Sequence, residues 1–221
     1  MKFDAILFDF DGTLAELTID FDLMKCKLAA LGECFLDRRP EPGSTPALEW
    51  LDRLAREIGR KDPALGQEFH SRGRLVITAM ELDAAREGRL FPFTRDVLAD
   101  LRRRGIRTGI ITRNITPAVK TVYPEIEREC DAFLAREDAK RVKPDPAHAL
   151  QALDRMNARP EHTLMVGDHL LDMETARRAG TRAAAVTSGK LGPEAFAACA
   201  PDFLAPDVAA LMNILESDKA I

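Results

Sequence analysis

A chain of 221 residues is long enough for one well-buried core and a modest second module. Hydrophobic residues make up 46% and charged residues 31%, the balance of a globular protein, which excludes the disordered and membrane-spanning classes. With 32 Lys and Arg against 36 Asp and Glu, the chain has no general attraction for nucleic acid or an anionic membrane surface, so any anion must be held locally.

In chain order, AILFDF (5–10) is a short apolar run ending in Asp and Gly, the pattern of a buried strand entering a sharp turn. The stretch 16–91 reads as helical. Thr45 and Pro46 start one helix, with Leu48, Leu51, Leu54, Ala55 and Ile58 on its apolar face and Gly59 at its end. Asp62 and Pro63 open another, which carries Leu75, Val76, Ala79, Met80 and Leu82 and runs to Gly88. The loop RRPEPGSTP (38–46) lies between helical segments. DVLADLRRRG then sets Val97, Leu98 and Leu101 on one helical face and stops at Gly105. Further strands follow at IRTGIIT (106–112), DAFLA (131–135), TLMVG (163–167), RAAAVT (182–187) and DFLA (202–205), and DMETARRAG forms a helix ending on Gly180.

Strands alternating with helices at this spacing predict an α/β, Rossmann-like three-layer core: a mostly parallel sheet with helices on both faces. The expected core comprises residues 1–15 and 92–221, with 16–91 inserted as an all-helical module. Ligands in such sheets collect beyond the carboxyl ends of the strands. That rule gathers Asp9 and Asp11, then Thr112, Arg113 and Asn114, then Asp168 into one crevice. Gly12 allows the tight turn that would bring Asp11 back beside Asp9 and expose backbone N–H groups to an anion.

FDFDGTL at residues 8–14 resembles the first signature of the haloacid dehalogenase superfamily. The remaining signatures follow in order as Thr112 of IITRN, Lys143 of VKPDP, and Asp168 and Asp172 of GDHLLD. The resemblance, to phosphoglycolate phosphatase-like members with a small helical cap, spans the core from residue 3 to about 205, whereas the inserted module matches only in position and helical character. It implies a phosphoric monoester hydrolase in which Asp9 attacks phosphorus to form an aspartyl phosphate. Asp11 would protonate the leaving oxygen and later deprotonate water. Asp9, Asp168 and the Asp11 carbonyl would hold Mg²⁺ as hard oxygen ligands. Lys143 would add positive charge, giving a local sum of about +1 for two carboxylates, one divalent ion and one ammonium. Thr112, Asn114 and Arg113 join Lys143 as substrate-facing groups, with the Thr112 hydroxyl donating to a phosphoryl oxygen. Asp172 and Thr13 would stand behind them, Asp172 orienting Lys143 or a metal-bound water.

Motif II usually has Asn directly after its Thr or Ser, whereas Arg113 intervenes here, so a guanidinium is available for a second anionic group of the substrate. Ala15, Glu16 and Leu17 after DGTL depart from the acidic residue and Ser frequent in phosphoglycolate phosphatases. The insertion lies where relatives carry a mobile cap, the expected seat of substrate choice. A phosphosugar mutase of the β-phosphoglucomutase type and a catalytically silent binding protein on the same scaffold remain as alternatives. The expected partner is a small phosphorylated metabolite, with no nucleic acid and no membrane, bound by a monomer or homodimer. Among His70, His148, His162 and His169, only His169, beside Asp168, is expected near the site. Cys26, Cys34, Cys130 and Cys199 form no CxxC pair and have no His at metal spacing, so they read as buried thiols. The leading MKFDAILFDFDG is too short and too charged for a signal peptide, and the expected location is the cytoplasm.

Overall fold

The computed structural model describes residues 2–221. It begins with β1 (Ala5–Phe8) and the two-residue β2 (Ala15–Glu16), followed by helices α1 (Phe21–Glu33), α2 (Ala47–Gly59) and α3 (Pro63–Glu87). A second two-residue strand, β3 (Arg89–Leu90), precedes α4 (Thr94–Arg103), β4 (Arg107–Ile111), α5 (Thr116–Val122), α6 (Ile126–Glu129) and β5 (Ala132–Leu134). The rest of the chain forms α7 (Pro146–Met156), β6 (Thr163–Gly167), α8 (Leu170–Ala179), β7 (Arg182–Val186), β8 (Phe203–Ala205) and α9 (Val208–Ser217).

Six strands form one sheet in the order β5-β4-β1-β6-β7-β8, and every neighbouring pair is parallel. Side chains alternate between the faces of a strand, and β1 shows it directly. Ile6 and Phe8 join one core with Leu98 and Leu101 of α4, Val119 of α5, and Val208, Leu211 and Leu215 of α9. Ala5 and Leu7 join another with Ala149, Ala152, Leu153 and Met156 of α7 and Ala176 and Ala179 of α8. Burial on both faces explains why the strands read as continuous apolar runs rather than alternating ones.

Register aligns the strand ends. Phe8 lies opposite Ile110 of β4 and Val166 of β6, so the residues that follow all three strands emerge at one edge of the sheet. The chain divides into two compact units, one reaching Leu17 and resuming at Ala85–Ile221, the other Thr18–Ala84. The second has its own core of Met24, Leu28, Trp50, Leu51, Leu54, Ile58 and Phe69, with Phe35 edge-on to Phe69 at 5.5 Å between centroids.

Two expectations need correction. The stretch 16–91 is not helical throughout, because Ala15–Glu16 pairs antiparallel with Arg89–Leu90 inside the core unit. A two-residue ribbon is too short to show a period of two. It is held from outside its own sequence, with the Thr94 hydroxyl and the Phe91 N–H donating to Leu14 O at 2.6 and 3.0 Å. Nor are the cysteines all buried: Cys130 is, whereas Cys26, Cys34 and Cys199 are exposed. On α1, Met24 and Leu28 take the inward positions and leave Cys26, between Lys25 and Lys27, on the wet face. Among the described residues no helix is long and apolar enough to cross a membrane.

Candidate active site

Asp9 directly follows β1, and its backbone N–H continues the ladder to Val166 O at 2.8 Å. Its Oδ1 accepts from Phe10 N at 2.7 Å and from Lys143 Nζ at 2.6 Å. The other oxygen, Oδ2, has no protein donor among the described residues. At Gly12 φ is +82°, a left-handed value, and the turn closes with Gly12 N donating to Ala15 O at 2.8 Å.

That turn carries Asp11 to the residues after β4. Asp11 Oδ2 accepts from the Thr112 hydroxyl at 2.8 Å, and Oδ1 accepts from Asn114 Nδ2 at 2.9 Å. The Asn114 amide is oriented by Ile115 N, which donates to its Oδ1 at 2.8 Å, and the Thr112 oxygen accepts from Asn114 N at 3.0 Å. The single hydroxyl hydrogen of Thr112 is thus directed at Asp11, not at the phosphoryl position expected for it.

Lys143 is 2% exposed, and its ammonium also donates to Asp172 Oδ1 at 2.7 Å. Asp172 lies in the first turn of α8, where its Oδ2 accepts from His169 N at 3.1 Å while His169 Nδ1 accepts from Leu171 N at 3.2 Å. This reciprocal cap fixes Asp172 from the helix side. Carboxylate oxygens of Asp9, Asp168 and Asp172 lie within 4.8 Å of one another. Thr13 is fully buried, with its hydroxyl 3.5 Å from Asp168 Oδ1. Arg113 is half-buried, and its Nη1 donates to Lys143 O at 3.0 Å.

The charges are unbalanced. Burial pushes the Asp9 and Asp11 carboxyls above their ordinary range, against the pull of Lys143 on Asp9 and of the Asn114 and Thr112 hydrogen bonds on Asp11. Asp168 is pushed up to about 9 by burial and then by Asp9 and Asp172. Asp172 rises to about 6, again mainly through burial. Lys143 is raised despite its burial, because Asp172 and Asp9 flank it. One ammonium does not offset three clustered carboxylates. Counting Asp172, a divalent cation would bring the sum of the ionised groups to about zero rather than about +1.

Residues 3–180 match the family model of haloacid dehalogenase-like hydrolases. The chain belongs to that family. This haloacid dehalogenase-like hydrolase is 30% identical over 201 residues to N-acetylmuramic acid 6-phosphate phosphatase of Pseudomonas putida, covering 88% of this chain and 87% of the relative. It is 26% identical over 232 residues to phosphoglycolate phosphatase of Escherichia coli, covering 96% and 92%. Its fold matches a hydrolase from Pseudomonas syringae with a TM-score of 0.68 at 22% identity, over 97% of this chain and 98% of that one.

Three contributors in the hydrolase fold escaped the sequence reading. His148, contrary to the expectation that only His169 approaches the site, is fully buried and touches the Lys143 segment. Burial, helped by Lys143, lowers its pKa to about 4, so the ring is neutral at pH 7. The Ser188 hydroxyl donates to Gly12 O at 2.7 Å and pins the turn between the two motif I aspartates. Beside it, a Cβ on Gly189 would stand 1.7 Å from Asp168 Oδ2, so only glycine leaves room for that carboxylate. For Ser188 and Gly189 the one sequence signal is position, just after β7; His148, in the first turn of α7, has none.

Proposed function

We propose that the protein is a Mg²⁺-dependent phosphatase of the cytoplasm that hydrolyses a small phosphorylated metabolite through an aspartyl phosphate on Asp9. The carrying observation is the division of labour between the two motif I carboxylates. Asp9 is held on one oxygen by Lys143 and a backbone N–H, which leaves Oδ2 for attack. Asp11 is held on both oxygens by neutral donors, in surroundings that favour its protonated form, which suits the acid.

Asp9 Oδ2 forms the new bond to phosphorus while the bond to the ester oxygen breaks, and Asp11 gives its proton to that oxygen. Water then attacks the phosphorus of the aspartyl phosphate and Asp11 takes a proton from it. Inorganic phosphate leaves and the Asp9 carboxylate is restored. Lys143 neutralises part of the phosphoryl charge, and Asp172 holds the ammonium in place. Thr112 and Asn114 orient Asp11 before the ester arrives.

Three clustered carboxylates with one ammonium fit a hard divalent cation, which Asp9 and Asp168 would hold together with the Asp11 carbonyl. Bound there, it would neutralise phosphoryl charge and help to align the ester. Gly189→Ala should push the Asp168 carboxylate aside and weaken Mg²⁺ binding about tenfold or more, read by calorimetric titration. Unchanged affinity would exclude Asp168 from the metal site.

Both relatives are named as phosphatases of phosphorylated acids, which supports an acid-bearing ester and gives Arg113 a second anion to meet. The helical unit Thr18–Ala84 is assigned the selection of substrate, as the cap. The test is phosphate release from phosphoglycolate, N-acetylmuramic acid 6-phosphate and glucose 6-phosphate, with Mg²⁺ and with EDTA. Mg²⁺-dependent release that favours the two acids is expected. Release in EDTA would remove the metal, and no release from any ester would remove the phosphatase reading.

A further inference from the structure

Lys143 is held at every polar group it possesses. Its ammonium meets Asp9 and Asp172, and its carbonyl accepts from Arg113 Nη1 at 3.0 Å. Its N–H donates to Nδ1 of His148, five residues along, in a long hydrogen bond of 3.4 Å. Because Nδ1 accepts, the ring proton sits on Nε2, which points at Leu134 O at 3.2 Å. The same Leu134 carbonyl, at the end of β5, also accepts Thr112 N at 3.1 Å. Its two lone pairs serve both donors.

The imidazole is therefore a spacer of fixed length between two halves of the site. One half is the Thr112 segment, whose side chain touches Asp11; the other is the Lys143 segment, whose ammonium touches Asp9. A lysine has a flexible four-carbon stem, so the place of its ammonium depends on where its backbone begins. A leucine or phenylalanine would fill the same buried volume, yet would leave both Lys143 N–H and Leu134 O short of a partner.

We propose that His148 is a positioning residue for Lys143: through the Leu134 carbonyl it sets Lys143 against Thr112, and with them the acid against the nucleophile. It touches no reacting atom. The proposal rests on the phosphatase reading for its effect on turnover but not for its effect on Lys143.

Three substitutions separate positioning from filling. An Asn amide reaches the level of Nδ1, a Gln amide the level of Nε2, and Phe offers neither. His148→Asn keeps only the bond to Lys143 N–H and His148→Gln only the one to Leu134 O, so each should lose about tenfold in kcat and His148→Phe about a hundredfold, with KM little changed. In parallel, acetylation of Lys143 by acetic anhydride, read by peptide mass spectrometry, should stay slow in wild type and rise about fivefold or more in all three variants. Thermal unfolding of all four proteins provides the stability control. If kcat and labelling follow stability alone, or if His148→Phe keeps wild-type kcat and labelling, His148 is only filler and the proposal falls. If wild type hydrolyses no ester, the phosphatase reading fails, and the labelling pattern alone then upholds or overturns the positioning of Lys143.

Discussion

Asp9→Asn is expected to lower kcat by about 10⁴-fold or more while leaving the protein folded. The amide keeps the shape of the carboxyl and can still accept from Phe10 N, which donates to Oδ1 at 2.7 Å in the wild type, but it is no nucleophile toward phosphorus. Stability should hold or rise. Asp9 is buried with its carboxyl raised by that burial, and its charge is among the causes that push Asp168 up. Removing it relieves the crowding, and Lys143 keeps Asp172 as a partner at 2.7 Å. The check is single-turnover phosphate release beside thermal unfolding in EDTA. A folded Asp9→Asn protein with wild-type turnover would rule out the proposed nucleophile.

Lys143→Met should cost about 3–5 kcal/mol of stability and also abolish most turnover, because it strands buried carboxylates without their shared ammonium. The loss should depend on pH in a definite direction. The folded-state pKa of Asp172 already lies at about 6, above the ordinary 3.8, and without Lys143 it must rise further. A carboxyl whose folded pKa is raised binds more protons folded than unfolded in the window between the two values, so stability falls as pH rises through it. The deficit of Lys143→Met against wild type should therefore be small near pH 4 and grow toward pH 8. Denaturant unfolding at several pH values measures it. A deficit independent of pH would mean that lost packing, not stranded charge, destabilises the variant.

The sequence revealed the sheet because each strand is buried on both faces and so reads as an unbroken apolar run, as TLMVG does over the whole of β6. It revealed Asp9, Asp11, Thr112 and Asp168 because a parallel sheet gathers the residues beyond its strand ends. Lys143 and Asp172 follow no such rule and were reached through family resemblance. What stayed hidden was contact made by shape or by a single hydrogen bond. Gly189 looks like any loop glycine until Asp168 is beside it. His148 shows no more than one His in the first turn of a helix, and its two bonds reach five and fourteen residues back along the chain. Asp172, expected to orient Lys143, meets its ammonium at 2.7 Å and is 1% exposed, so its own charge also belongs in the local sum.

The place of β1 has a consequence for how the molecule is made. Of the six strands of the sheet β1 is made first, yet it lies inside the sheet, and its neighbours, beginning at Arg107 and Thr163, are synthesised long after it. At ~5–20 residues per second, the roughly 100 residues before the nearer partner take on the order of ten seconds, during which the apolar segment has no strand to pair with. Thr18–Ala84, contiguous in sequence and with a core of its own, can close within that interval. The nascent chain thus carries a helical unit with a core of its own and an apolar strand whose two partners are still to be made.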